Sequence, residues 1–210
     1  MNKLGNLSCS DFLTELASAA PAPGGGGGAA MAGALAAALA SMVANLTIGK
    51  EKFADREPEV KELLQQAEAE RVRLLELVDE DAAVFNSFMS CYKLPKATDE
   101  EKAARTAAIR AAAKQAATVP LNIARSSFTV LQLADKLVVA GNPGVITDGA
   151  CSGLLARAAL RCAEYNVRIN LGLTKDEAWN AQAAAELKQL LADAEALETR
   201  LLAVTDKALQ

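Results

Sequence analysis

Apolar residues along this chain recur at helical spacing, and nowhere do they alternate with polar ones long enough to suggest a strand. The punctuation between the apolar runs divides the chain into about seven helices. The first follows Ser10 and runs from Asp11 to about Ala20, where Pro21-Ala22-Pro23-Gly24 breaks it. A second emerges from the glycine run and continues to about Thr47, ending near Gly49. Pro58 suits the first turn of a long third helix that reaches about Tyr92 and is stopped by Pro95. Thr98 with Glu101 forms a capping box for a fourth helix to about Thr118, and Pro120 opens a fifth that closes at Gly141. After the turn at Asn142-Pro143-Gly144, Thr147 or Asp148 caps a sixth helix, which reaches about Leu171 and terminates at Gly172. Thr174 with Glu177 forms a second capping box for the last helix. With short loops, no internal repeat and no low-complexity linker, residues 1–210 read as one all-α domain, a bundle of mostly antiparallel helices.

One position breaks the pattern. At 100° per residue, Leu63, Ala67, Leu74, Val78, Phe85, Phe88 and Tyr92 of the third helix fall within about 40° of one line. Asp81 lies on that same line, while Asp79 and Glu80 project away from it as ordinary solvated acids. Glu70 sits at the edge of the stripe, far enough off its centre to reach solvent. A carboxylate among apolar neighbours is either paired or raised in pKa, and a raised pKa suits proton transfer near neutrality. Three readings of Asp81 stand at this point: a catalytic acid–base group, a partner for a Lys or Arg on another helix, or a residue on a solvated groove.

Composition narrows the chemistry. Histidine is absent, which removes Ser-His and Cys-His nucleophile pairs and any His-based metal site. Cys9, Cys91, Cys151 and Cys162 form no CxxC pair and read as reduced thiols of a cytoplasmic protein. A net charge of −4 argues against a nucleic-acid footprint. Hydrophobic residues make up 51% of the chain but aromatics only 4%, so close helix approach through small side chains replaces a core built on rings. No residue between Glu15 and Lys50 is charged, and Ala29–Ile48 is long enough to span a bilayer. Its drive to insert is weak, because it is mostly Ala, Gly and Ser, so we expect a buried central helix and no membrane partner. Ala29, Gly33, Ala37 and Ser41, at every fourth position, would let another helix pack closely.

The run Gly24–Gly28 directly precedes a helix, so it is either a flexible linker or a ligand site built on bare backbone N–H groups. It lacks the GxxxxGK[ST] phosphate loop and follows no strand. Asn166 and Asn170, one helical turn apart, either bind the amide edge of a heterocycle or satisfy buried backbone. Asp148, about 27 Å from Asn166 along one helix, is most simply an N-cap. Lys50, Lys52, Lys93 and Lys96 lie at helix ends, solvated or available to a substrate bearing carboxylates.

Several segments in this order carry a resemblance. They are Pro21-Ala-Pro-Gly-Gly-Gly, Met42-Val-Ala-Asn-Leu-Thr-Ile-Gly-Lys50, Leu77-Val-Asp-Glu-Asp-Ala-Ala-Val-Phe85, Leu94-Pro-Lys-Ala-Thr with Glu101-Lys102, and Asn166-Val-Arg-Ile-Asn-Leu171. Val119-Pro120-Leu121 and Gly141-Asn142 followed by Asp148 complete the set. Over about residues 10–175 the chain resembles the formiminotetrahydrofolate cyclodeaminase family, which includes stand-alone methenyltetrahydrofolate cyclohydrolases. The resemblance implies an all-helical homodimer acting on a tetrahydrofolate derivative, with no metal or prosthetic group. It makes Asp81 the catalytic acid, assigns Gly24, Gly25 and Gly26 to the folate pocket, and adds Thr47, Gly49, Lys50, Asn166 and Asn170 as matched positions. Lys50 or Lys93 would receive the folate's glutamate tail. Where relatives follow three glycines with Ser-Val, this chain has Gly27-Gly28. The expected reaction is cyclodeamination of 5-formiminotetrahydrofolate to 5,10-methenyltetrahydrofolate. The alternatives are hydrolysis of 5,10-methenyltetrahydrofolate, or a non-catalytic helical folate-binding or assembly module.

Overall fold

The computed structural model describes residues 3–210, and among them there is no strand. Six α-helices form the bundle: α1 (Cys9–Leu16), α2 (Gly25–Asn45), α3 (Glu57–Cys91), α4 (Asp99–Ala140), α5 (Ile146–Thr174) and α6 (Glu177–Ala208). Three single-turn 3-10 segments at Leu4–Asn6, Glu51–Phe53 and Pro143–Val145 complete it.

The uncharged helix α2 sits at the centre, packed against α3, α4 and α5. The small positions at every fourth residue do what their spacing predicts. Ala29, Gly33, Ala37 and Ser41 are all buried, and a Cβ on Gly33 would press on Leu74 of α3 and Ser127 of α4 at about 3 Å. By length and composition α2 could cross a membrane, and 61% of its most apolar stretch is buried within the bundle. It runs antiparallel to α3, since Gly26 meets Asp81 and Gly33 meets Leu74. It is antiparallel to α5 as well, where the Ser152 hydroxyl donates to the Ala36 carbonyl at 2.7 Å and Gly25 lies against Asn166. Helix α6 closes the far side, anchored where Arg200 pairs with Asp135, which is only 2% exposed.

Six helices stand where seven are expected, because Pro120 does not divide the fourth from the fifth. Residues 99–140 form one 42-residue helix with Pro120 inside it. Proline there removes one N–H and leaves the carbonyl of Ala116 without its donor. The Asn170 amide of α5 supplies a substitute, donating to Ala116 O at 2.9 Å. Burial of Ala113, Ala117, Val119, Leu121, Ile123 and Ala124 on both sides of the proline holds the two halves in one line.

Other boundaries shift for similar reasons. Helix α1 begins at Cys9 with Ser8 as its cap, accepting from the Asp11 N–H at 3.1 Å. Helix α5 starts at Ile146, so Thr147 and Asp148 lie in its first turn and neither is the cap. It passes through Gly172 and ends at Thr174, before Lys175 in the left-handed region. Thr174 is thereby committed to α5, and Asp176 caps α6 by accepting from the Trp179 N–H at 3.1 Å. The capping box at Thr98 and Glu101 forms as the sequence predicts.

Candidate active site

Asp81 faces the first turn of α2. Gly24 has no side chain with which to cap that helix, so the leading N–H groups at the positive end of the helix dipole are left open to the Asp81 side. Of the five glycines, Gly26 is the one that packing demands: a Cβ there would fall inside the Asp81 carboxylate. Gly24 meets nothing, and Gly25 meets Asn166 only at ordinary contact distance. The run is thus helical from Gly25 onward, not a linker.

No Lys or Arg pairs with Asp81 among the described residues. Burial pushes its carboxyl above the usual carboxylate range, and the backbone N–H of Gly27 opposes that rise in part. Asp81 is therefore neither an ion-pair partner nor a freely solvated acid. Its neighbours have other tasks: Asp79 accepts the Leu4 N–H at 2.6 Å, and Glu80 pairs with Arg73 at 2.5 Å. Both do face away from Asp81, but both are engaged in contacts and not merely solvated. Glu70 also differs from expectation, since its Oε2 is buried without a partner.

A cleft of about 330 Å³ opens in front of Asp81. Its floor is Gly24, Gly25 and Gly26, its walls include Val84, Phe85 and Phe88 of α3 with Ala116 and Val119 of α4, and Asn166 and Asn170 stand opposite on α5. Among the described residues Asp81 is the only charged one in the lining. A mostly apolar cleft with a few convergent polar groups is the ordinary form of a small-molecule site.

The two asparagines hold backbone and line the cleft at once. Asn166 donates to Cys162 O at 2.9 Å, and Asn170 donates to both Ala116 O and Asn166 O. Their side-chain carbonyls accept nothing from the described residues and remain acceptors for a ligand. Above them Phe88 and Tyr92 meet edge to face, and Arg105 covers the Tyr92 ring.

Thr47, Gly49 and Lys50 do not join this cleft. They follow the opposite end of α2, about 30 Å from Gly24–Gly26 for a helix of this length. Thr47 is buried and structural: its hydroxyl donates to Val43 O at 2.7 Å and accepts the Asn142 N–H at 2.8 Å. Gly49 takes a φ of +75°, and its N–H is held by Glu57 at 2.9 Å. Lys50 is exposed and makes no ion pair among the described residues.

Sequence reasoning missed Val84, Val119, Ile169 and Leu173 as cleft residues. Reading Pro120 as a helix start hid the wall at Ala116–Val119. Ile169, 70% exposed, had an available signal as a large apolar residue on the outer side of an amphipathic helix. Among the described residues no three His, Cys, Asp or Glu side chains converge as a metal-binding cluster.

Comparison with known proteins adds names to this geometry. The family described as Formiminotransferase-cyclodeaminase matches residues 8–189. A methenyltetrahydrofolate cyclohydrolase of Methylorubrum extorquens is 45% identical over 197 residues, 94% of this chain and 95% of that protein. The formimidoyltransferase-cyclodeaminase of Sus scrofa is 34% identical over 183 residues, 87% of this chain but only 34% of that protein. The chain thus spans about a third of that relative's length. The crystal structure of a formiminotetrahydrofolate cyclodeaminase from Thermotoga maritima matches with a TM-score of 0.88 at 30% identity, covering 98% of each chain.

Proposed function

The chain belongs to the formiminotransferase-cyclodeaminase family, and we propose that it is a folate one-carbon enzyme in which Asp81 moves a proton at the carbon carried by tetrahydrofolate nitrogen. The observation that carries the proposal is the unpaired, desolvated Asp81 carboxyl against the bare backbone of Gly26, in a cleft otherwise free of charge. With no histidine in the chain, this is the group placed to serve as acid and base.

Two reactions fit one carboxyl. In hydrolysis of 5,10-methenyltetrahydrofolate, ionised Asp81 takes a proton from the water that attacks the methenyl carbon. It returns that proton to N5 as the carbon–N5 bond breaks, the carbinol proton is released, and 10-formyltetrahydrofolate remains. The 45% identity with the Methylorubrum cyclohydrolase along nearly the whole chain favours this reading. In cyclodeamination of 5-formiminotetrahydrofolate, N10 attacks the formimino carbon and its proton passes to the former imine nitrogen, neutral Asp81 then protonates that amine, and ammonia leaves as the carbon–nitrogen bond breaks. Ionised Asp81 then faces the cationic methenyl product as counter-ion. The Thermotoga structure, matched over the full chain, favours this second reading.

Gly25, Gly26, Asn166 and Asn170 hold the folate ring system, with the free asparagine carbonyls accepting from its amino groups. Catalysis without a prosthetic group, a homodimeric state and a cytoplasmic location belong to the same proposal. The four free cysteines suit a reducing compartment. Purified protein should be offered both substrates. Decay of the methenyl chromophore identifies the hydrolase, and ammonia release with growth of that chromophore identifies the deaminase. If neither occurs, the enzymatic reading fails.

A further inference from the structure

The proline of Val119-Pro120-Leu121 is a defect in α4 itself. Pro120 is buried in the middle of that helix, where it removes one backbone bond and its ring crowds the Ala116 carbonyl out of line. Ala116 and Val119 both line the cleft, so the defect lies in the cleft wall.

The carbonyl released there fixes one side chain. Asn170 commits both of its amide N–H groups to backbone, donating to Ala116 O at 2.9 Å and to Asn166 O at 2.8 Å. Turning the amide over would set its oxygen against two carbonyl oxygens, so Oδ1 is held as an acceptor, with no partner among the described residues. Asn166 differs. It commits a single N–H, to Cys162 O at 2.9 Å, and keeps both a donor and an acceptor.

We propose that Pro120 is a positioning residue: by freeing the Ala116 carbonyl it locks Asn170 as an acceptor-only contact, and Asn170 and Asn166 together read the amino–amide edge of the ligand's ring. The two side chains stand one helical turn, about 6 Å, apart. Along that turn the cleft offers an acceptor at Asn170, then an acceptor and a donor at Asn166. The complementary edge carries an amino group, a ring N–H and a carbonyl in sequence, as the 2-amino-4-oxo edge of a tetrahydrofolate does. Assigning that edge rests on the folate reading; the fixing of Asn170 by Pro120 does not. An asparagine free to turn would accommodate either a donor or an acceptor. Held by Ala116, it leaves a ring without the amino group facing an unsatisfied oxygen.

The hold on Asn170 is tested without substrate, by hydrogen exchange of its side-chain amide in nuclear magnetic resonance spectra. Both protons should exchange slowly in the wild type and markedly faster in Pro120→Ala, whose restored backbone N–H draws the Ala116 carbonyl back into the helix. Circular dichroism should show that this variant keeps its helices. Exchange as fast as at an exposed asparagine in the wild type, or unchanged in Pro120→Ala, overturns the hold.

Kinetics test what the hold does. Asn170→Ala should raise KM for the active folate about tenfold, and Pro120→Ala about fivefold, with kcat little changed in either. The double variant should be no worse than Asn170→Ala, because Pro120 acts only through Asn170. A fivefold rise from Pro120→Ala that persists without Asn170 makes the proline merely structural and overturns its positioning role. Replacing the ring's amino group by methyl should raise KM about tenfold for the wild type and little for Asn170→Ala. Equal rises in both overturn the amino contact. A wild-type protein inactive on both folates overturns the substrate reading, while the exchange measurement still decides the hold on Asn170.

Discussion

The two ends of α2 carry motifs of similar standing in the sequence, yet they do opposite work in the folded chain. At the Gly24–Gly28 end the backbone is bare, the facing carboxyl is unpaired and desolvated, and a cleft remains open. At the Thr47–Lys50 end nearly every polar group is already spent. Thr47 ties α2 to the α4–α5 turn, Asn142 donates to Leu46 O at 3.1 Å, and Glu57 holds Gly49. Unsatisfied polar groups mark a place where a ligand has work to do, and satisfied ones mark a joint.

Mutations can break this contrast. Asp81→Asn should lower kcat by about a thousandfold, within the range for loss of a general acid or base, in steady-state turnover of whichever folate is active. The same variant should melt higher than wild type at pH 7. Because the folded pKa of Asp81 is raised, its stabilising contribution is complete below the ordinary carboxylate pKa and is lost as pH rises through the folded value. A neutral amide escapes that loss, so Asp81→Asn should also flatten this part of the stability–pH curve.

Gly26→Ala should cost about a hundredfold in kcat, because the new methyl displaces the carboxyl by about an ångström. Gly24→Ala, in open space, should change turnover little. A Gly26→Ala enzyme with wild-type kcat would show that the close approach has no catalytic meaning.

The pH dependence of kcat/KM separates the two reactions by its sign. Hydrolysis needs ionised Asp81, so its rate should fall as pH drops through the raised pKa. Deamination needs the neutral acid, so its rate should fall as pH rises through it. Either limb should lie above the ordinary carboxylate range.

At the other end the effects should be on stability. Thr47→Val leaves the half-buried Asn142 N–H without its acceptor and should cost about 1 kcal/mol in denaturant unfolding, with kcat within a few-fold of wild type. A larger loss of kcat than of stability would erase the difference between the ends. Asn170→Ala should cost about 1 kcal/mol by orphaning the Ala116 carbonyl, and less when combined with Pro120→Ala, which restores the missing backbone donor.

Much of this was legible beforehand because it depends on local order. Helical period, the capping box at Thr98 and Glu101, Pro58 in a first turn and the small positions of α2 are fixed by residues within a few places of one another. The same period put Asp81 on an otherwise apolar line. Family resemblance, not spacing, attached a folate to it.

Tertiary contacts decided the rest. Whether Pro120 ends a helix turned on Asn170, fifty residues away, offering a replacement donor. Which glycine of the run matters most turned on where Asp81 projects, since a Cβ on Gly26 would fall inside that carboxylate. The separation of Lys50 from the cleft follows from the unbroken length of α2. By itself the sequence determined the helices and the acid that interrupts one of them, since period and capping are short-range properties. The structure decided what that acid faces, because desolvation and close approach exist only between segments that folding brings together.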